Sequence, residues 1–533
     1  MAKHSVKKET IIAGLKGFWF QFRRNKRGII GLSILCVHVL IAILAPYIAP
    51  YDPIKPKWPG YFPADPPPLA FMMCVPSWYK HFGREVSENM EVIDDYTYSS
   101  ERALQKWNYT ISDSSRISLL YNPNQGTLDD GCLEISYSRQ ADETGGGSLS
   151  LVYRFKYPYK VSPQRFWIHT SYLINGTVSP SSSVSISFSL LREDTKYLEN
   201  YTYPPNLIHK KDSLVIYEYP LITYSFNSPT YTWKHMWTRS TRREIFENPL
   251  WFRNPERKIF PTVGDYVFKI DITFNDQGAQ TQEIKVYLDN VQILLYGDAH
   301  GLLGTDADPT APRDIFSSLI YGSRISITVG LLVALIAVTI GLLVGLTAGY
   351  IGGITDEILM RFADFLMVLP TLPLLIILAY LLSPSIWNII AILAFLGWMG
   401  FSRNIRSVTL SLRERAFVEA AKVVGAGRFH IIRQHIFPNV VPLVYLALSL
   451  SVPGAIISEA SLSFLGLFDP EVMSWGRMIN EFNSSGVAVT KGFSDYWFWV
   501  IPPGLCISSL AISFILIGYA LDEILNPKLR MRR

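Results

Sequence analysis

About six stretches of this 533-residue chain are apolar for long enough to cross a bilayer, and this limits the fold more than any other feature. A helix needs roughly 20 apolar residues to span the hydrocarbon. The stretches run from Gly28 to Ile48, Ile325 to Ala348, Ile358 to Leu382, Ile386 to Gly400, Val440 to Ser458 and Trp497 to Leu521. Five of them follow one another with few charges inside, which helices of a water-soluble core seldom do. Charged residues make up 17% of the chain, where a soluble protein carries about 25%. The sequence therefore predicts a multi-pass protein held in a lipid bilayer. Its first stretch is longer than the apolar core of a signal peptide and ends in Ala-Pro-Tyr-Ile-Ala-Pro-Tyr-Asp-Pro (Ala45 to Pro53), so it reads as a retained anchor.

The formal charge of +5 sits in blocks beside these stretches, so the basic residues report orientation and imply no nucleic-acid partner. One block is Lys3, Lys7, Lys8, Lys16, Arg23, Arg24, Lys26 and Arg27; a second is Arg403, Arg406, Arg413, Arg415, Lys422, Arg428 and Arg433; a third is Lys528, Arg530, Arg532 and Arg533. Because Lys and Arg are retained on the cytoplasmic side, all three blocks fit one topology. The termini and the 403–439 loop are expected in the cytoplasm of a cell-membrane protein, and 51–300 outside. The Asn-x-Ser/Thr sites at Asn108, Asn175, Asn200 and Asn483 all fall in segments predicted external.

The external segment has the period of strands. Apolar residues alternate in Leu133/Ile135/Tyr137, Val184/Ile186/Phe188/Leu190 and Tyr266/Phe268/Ile270/Ile272/Phe274, so each strand buries one face. Ile284/Val286/Leu288 and Val291/Ile293 are expected to form two strands about a turn at Asp289-Asn290, and Gly145-Gly146-Gly147 another turn. A β-sandwich is predicted, entered through a stiff Pro-rich connector from Pro56 to Pro68. Trp233, Trp237 and Trp251, with Tyr217, Tyr219, Tyr224 and Phe226, are candidates for stacking a sugar or clamping a partner; sandwich core is the competing reading. The Tyr266 to Phe274 strand with Val286 to Val291 resembles the end of carbohydrate-binding sandwiches. Of four cysteines, Cys36 and Cys506 lie in apolar stretches, which leaves one conceivable bridge, Cys74 to Cys132.

The string from Glu419 to Asn439 carries the mechanism: Glu-Ala-Ala-Lys-Val-Val-Gly-Ala-Gly-Arg-Phe-His-Ile-Ile-Arg-Gln-His-Ile-Phe-Pro-Asn. It suits two short helices about a hinge at Gly425. Ala420 and Ala421 are small enough for another protein to approach the backbone, Arg428, His430 and Arg433 are expected exposed, and Pro438 is placed to open the next span. An ordinary basic loop is the alternative, which so long a string makes improbable by chance. The string resembles the coupling loop of permeases in binding-protein-dependent ABC importers: Glu-Ala-Ala, three residues, Gly, then Pro thirteen positions further on. It is specifically similar to the second permease of the dipeptide, oligopeptide and nickel systems. Arg24-Asn25-Lys26, Ala49-Pro50-Tyr51-Asp52-Pro53, Leu319 to Ser326, Gly349-Tyr350, Asp356-Glu357, Met360-Arg361, Asp364, Leu369-Pro370 and Glu459 to Gly466 share in that resemblance.

The resemblance implies an all-α membrane bundle of the type I ABC importer fold. It also implies partners: a second homologous permease, two ATP-binding subunits and an extracytoplasmic substrate-binding protein. ATP and Mg would be held by those ATPases, and Glu419, Ala420, Ala421 and Gly425 would contact them. Two departures stand out. Ala307 to Pro312 lengthens the lead-in to the second span, and the 51–300 β insertion has no counterpart. The expected order is a basic N-terminus 1–27, a first span 28–48, the insertion 51–300, a lead-in 301–324, a five-helix core 325–525 with coupling loop 403–439, and a basic tail 526–533. Gly341, Gly345 and Gly349 share one helical face suited to close helix packing. Glu459 is expected either in a hydrogen-bonded turn near Ser458 and Ser461 or on substrate.

No Gly-x4-Gly-Lys-Ser/Thr string occurs, and the nine histidines are scattered. No cofactor, metal or catalytic group is therefore assigned to this chain. The function expected is a non-catalytic permease subunit for oligopeptides or oligosaccharides; nickel remains open. A membrane-anchored surface module whose β-domain binds glycans or proteins is the alternative.

Overall fold

The computed structural model describes residues 18–54, 72–127, 131–141, 143, 145–176, 181–194, 208–211, 214–239, 256, 259–278, 281–307, 312–383, 385–490 and 492–525. Asn200, Trp251, the Pro56 to Pro68 connector and the outermost basic residues of both termini lie outside them. The chain divides into two compact units, Met1–Lys57 with Asp306–Arg533, and Trp58–Thr305.

The first unit is helical. Its helices are α1 (Lys26–Ile48), α2 (Ile315–Ile351), α3 (Gly353–Val368), α4 (Thr371–Leu381), α5 (Ile386–Gly397), α6 (Met399–Arg413), α7 (Ala416–Val423), α8 (Arg428–Phe464), α9 (Trp475–Ser484), α10 (Val487–Thr490) and α11 (Phe493–Leu525). Among the described residues, five helical stretches are long and apolar enough to span: α1, α2, α5 continued into α6, α8 and α11; the bent pair α3 and α4 makes a sixth if it is one span.

Several boundaries differ from the sequence expectation: α2 begins at Ile315, inside the stretch 301–324 expected as a lead-in, and three further differences have a local reason. The third stretch is not one helix: α3 and α4 meet at 92°. Leu369 before Pro370 is extended (φ −67°, ψ 136°), as the proline ring forces on the residue ahead of it. The fourth helix does not end at Gly400 but runs on to Arg413, because α3 supplies carboxylates for its arginines. Arg406 makes a two-pronged pair with Asp356 (2.5 and 2.6 Å), and Arg403 pairs with Asp364. The fifth begins at Arg428, well ahead of Pro438. Pro438 has no N–H to continue the α pattern, and a π-helical turn at Ile432–Ile436, closed by the Phe437 N–H on the Ile432 carbonyl, carries the helix through.

Helix α2 lies at the centre, against α1, α5, α6 and α8. Its small residues set the α6 contact. A Cβ on Gly345 would lie 2.5 Å from the Ser402 carbonyl oxygen and 2.7 Å from Ile405 Cβ; on Gly341 and Gly349 it would meet the Trp398 and Arg406 carbonyls at 2.8 and 2.9 Å. Any added bulk must push the helices away from each other. Gly345→Val is expected to destabilise the helical unit by about 1–3 kcal/mol, read as a lower melting temperature in detergent. At the outer turns, the Asn25 amide donates to Glu523 Oε2 (2.8 Å) and its carbonyl oxygen accepts from Arg27 and Gly28 N–H (3.0 and 3.2 Å). The start of α1 and the end of α11 therefore lie on the same side of the bundle.

The second unit consists of antiparallel sheets. Its strands are β1 (Met90–Glu91), β2 (Asn108–Ile111), β3 (Ile117–Asn122), β4 (Cys132–Arg139), β5 (Gly147–Tyr157), β6 (Arg165–Gly176), β7 (Ser182–Asp194), β8 (Ile208–Lys211), β9 (Leu214–Phe226), β10 (Lys234–Arg239), β11 (Gly264–Asp276) and β12 (Gln282–Tyr296). One sheet has the order β10-β6-β12-β4-β3, with β1 on β12; the other is β2-β5-β11-β7-β9-β8. The alternating residues of β4, β7 and β11 meet in one core, each large apolar side chain contributing about 1.5–3 kcal/mol.

The expected turn at Asp289-Asn290 is instead a bulge inside one continuous strand, since the β12 register against β6 shifts between Asp289 and Gln292. Asn290 takes a left-handed conformation (φ 52°), which asparagine tolerates and which a bulge needs as readily as a hairpin does. Nor are Cys74 and Cys132 bridged. The Cys74 thiol donates to the Gly297 carbonyl (3.4 Å), while Cys132 is buried with Leu173 and Tyr287.

Beside the bulge, His169 stacks near His235 (centroids 5.8 Å) with Nδ1 3.0 Å from the Asn290 carbonyl. Burial pushes the His169 pKa down to about 3 from its ordinary 6.5, so the folded unit holds it neutral. Its folded pKa lies below its unfolded one, so this contribution to stability is complete above about 6.5 and declines as pH falls. Thermal unfolding of the β unit in the full chain is expected to become easier from about pH 6.5 to 4.5, and less steeply so in His169→Gln.

Candidate coupling segment

Between α6 and α8 the chain leaves the apolar core and returns within about four helical turns. Val418 on α7 and Ile431, Ile436 and Val440 on α8 are fully buried with Leu346, Tyr350 and Ile405, which fixes the segment to α2 and α6. Helix α7 then ends in a left-handed turn. Gly425 has φ 85°, its N–H donates to the Lys422 carbonyl (2.9 Å), and Ala426 N–H reaches back to Ala421 (3.0 Å). Gly425 thereby closes α7 by a C-terminal cap in which a residue with a Cβ is strained.

Glu419, Ala420, Gly425, Arg428, His430 and Arg433 are all exposed along this segment. Ala421 is half-buried and packs against the Val418 cluster. The sequence reading missed the apolar members of that face. Val423 and Val424 are each 87% exposed and Phe429 75%, on either side of Gly425. Three large apolar side chains held this open beside charged Glu419, Lys422 and Arg428 have the composition of a protein-docking surface. The available signal was apolar residues flanking a helix-ending glycine.

The remaining candidates lie apart from it. Gly341, Gly345 and Gly349 face α6 as described. Glu459 is buried, with Oε1 accepting from the Ser463 hydroxyl (2.7 Å); Ser461 donates instead to Ile457. Trp233 is half-buried against Cys132, Leu173 and Tyr287. Trp237 lies on β10 opposite His169, and Tyr224 and Phe226 pack on the sandwich core. A charged network at the head of α2 was also missed. Arg313 pairs with Asp306 (2.6 Å) and Glu481 (3.0 Å), and Arg477 with Glu481 (2.8 Å) and the Pro470 and Val472 carbonyls (3.0 and 2.7 Å). Burial raises the Glu481 carboxyl above the ordinary range although Arg313 and Arg477 act to lower it. Glu481→Leu removes the carboxylate that both arginines share and is expected to lower the stability of the helical unit by about 3 kcal/mol, measured as detergent melting.

Residues 341–531 match the model of the binding-protein-dependent transport system inner membrane component, and residues 15–67 that of the N-terminal TM domain of oligopeptide transport permease C. The chain is 39% identical over 233 residues to the oligopeptide transport system permease protein OppC of Haemophilus influenzae, covering 43% of this chain and 71% of that protein. Among solved structures, an inward-facing MetNI methionine ABC transporter chain aligns at 17% identity, covering 37% of this chain and 96% of its own, with a TM-score of 0.28. The family 11 carbohydrate-binding module of Clostridium thermocellum aligns at 17% identity over 41% of this chain and 99% of its own, TM-score 0.20.

Proposed function

We propose that this chain, which belongs to the inner-membrane permease family of binding-protein-dependent transport systems, is the permease subunit of a peptide ABC importer driven through the segment from Ala416 to Ile436. The observation that carries the drive is the open face of Val423, Val424 and Phe429 about the Gly425 cap, rooted in α2 and α6 by Val418, Ile431 and Ile436. A partner that grips this face can move α8 as a lever, because the helix is continuous from Arg428 to Phe464. ATP binding would close two ATPase subunits and carry the segment with them, biasing the bundle between two discrete states. ATP and Mg belong to those partners. A second permease completes the path, and a substrate-binding protein delivers cargo.

The basic blocks assign this segment and both termini to the cytoplasm, and the Asn25 to Glu523 contact supports a common side for the termini. The β unit then faces outward. Peptides are the cargo we assign, from the relatives' activity; oligosaccharides are the alternative. Uptake of labelled oligopeptide and oligosaccharide by cells with and without the chain separates the two. Peptide uptake that depends on the chain supports the assignment, and dependence of oligosaccharide uptake alone overturns it. A surface module that is merely anchored would show dependence of neither.

A further inference from the structure

At one end of the β unit its incoming and outgoing chain segments are joined side by side. Cys74 N–H donates to Thr305 Oγ1 (2.9 Å), Thr305 N–H to the Cys74 carbonyl (3.1 Å), His300 N–H to Val75 (2.9 Å) and Ser77 N–H to Gly301 (3.0 Å). Both connections toward the spanning helices therefore leave from this end. Thr305 precedes Ile315, the first residue of α2, by ten positions. A link of ten residues reaches at most about 35 Å.

The same end carries apolar surface that the sandwich core does not use. On the turn Ser77–Phe82, Phe82 is 80% exposed, and Leu302, next to the Gly301 carbonyl that accepts from Ser77 N–H, is 56% exposed. The Trp78 indole joins them: its Nε1 donates to the Leu302 carbonyl (2.8 Å), and its ring meets Phe82 and Tyr79 edge-on (centroids 5.7 and 4.8 Å). The Arg84 guanidinium lies 5.6 Å from the centre of the Tyr79 ring. Trp and Tyr with polar tips, next to Phe and Leu and edged by Arg, have the composition that settles at the headgroup level of a bilayer.

We propose that this end of the β unit rests on the membrane, with Trp78, Phe82 and Leu302 seated in the headgroup region of the leaflet on the unit's own side and Arg84 directed to anionic lipid. Tethering favours lipid over a soluble partner. A surface held this close to a bilayer meets it at high effective concentration, so even a weak interfacial preference keeps it seated. The inference needs only that the chain spans the membrane. It stands or falls separately from the coupling segment and from the cargo.

The test uses the full chain, with Cys36 and Cys506 replaced by serine, in vesicles of phosphatidylcholine and phosphatidylglycerol. Nitroxides are placed at Phe82→Cys or Leu302→Cys, and a control at Glu283→Cys, at the far end of β12. The first two are expected to collide more often with oxygen than with a water-soluble nickel chelate, at a depth of about 5–10 Å, and the control the reverse. Trp78→Ser is expected to lift the Leu302 label toward water while leaving the control unchanged, which separates loss of seating from loss of folding. Chelate collisions at Phe82 and Leu302 equal to the control would overturn the proposal. Protection that appears only after the substrate-binding protein is added would overturn it in favour of a protein dock.

Discussion

Gly425→Pro is expected to reduce uptake to the level of cells lacking the chain, while the protein still inserts and its β unit still folds. Proline holds φ near −65° and has no N–H, whereas position 425 requires φ 85° and donates to the Lys422 carbonyl. The cap at the end of α7 cannot form, and Val423 and Val424 lose their fixed direction relative to Phe429. Apart from its own chain neighbours, nothing lies within 4 Å of where a Cβ would stand, so backbone shape and not crowding is the obstacle. Gly425→Asn is the matched control, because asparagine visits the left-handed region at modest cost, and it is expected to keep most uptake. Equal transport by the two variants would remove Gly425 from the drive.

The second large effect is on stability. Arg139, at the end of β4, and Asp276, at the end of β11, form a buried ion pair across the two sheets. Ser182 Oγ (2.9 Å), Tyr137 OH (3.1 Å) and Gly278 N–H (3.0 Å) complete the shell around the carboxylate. Burial alone would raise the Asp276 pKa, but these donors, led by Arg139, hold it below the ordinary carboxylate range. Arg139→Met leaves that charge buried without its cation and is expected to cost about 3–5 kcal/mol. Hydrogen exchange across β4, β7 and β11 in the full chain would report it. The double variant Arg139→Met with Asp276→Leu is expected to recover much of the loss, since no buried charge remains.

The spans and the sandwich were legible because both follow from apolar period: runs of hydrocarbon length in the helical unit, alternation in β4, β7 and β11. Boundaries set by a single backbone event were not. Asp289-Asn290 is a composition that serves hairpin and bulge alike, and only pairing with β6 decides between them. Pro438 signals an end to α-helical hydrogen bonding, but a π turn and a helix start both satisfy it. At the candidate coupling segment the exposure of Glu419, Arg428, His430 and Arg433 was readable from the string and that of the apolar residues was not. Val423, Val424 and Phe429 look like core residues until Val418, Ile431 and Ile436 are seen to occupy the core instead. The Arg313, Glu481 and Arg477 network joins residues more than 150 positions apart, a distance over which a lone sequence carries no signal.

The most direct test of the coupling account places a photoactivatable cross-linker at Phe429 of the full chain in its native membrane. A covalent adduct with an ATP-binding subunit is expected, identified by mass and changing in yield with ATP. A chain that isolates alone, with adducts only to lipid or to itself whether or not ATP is present, would contradict it.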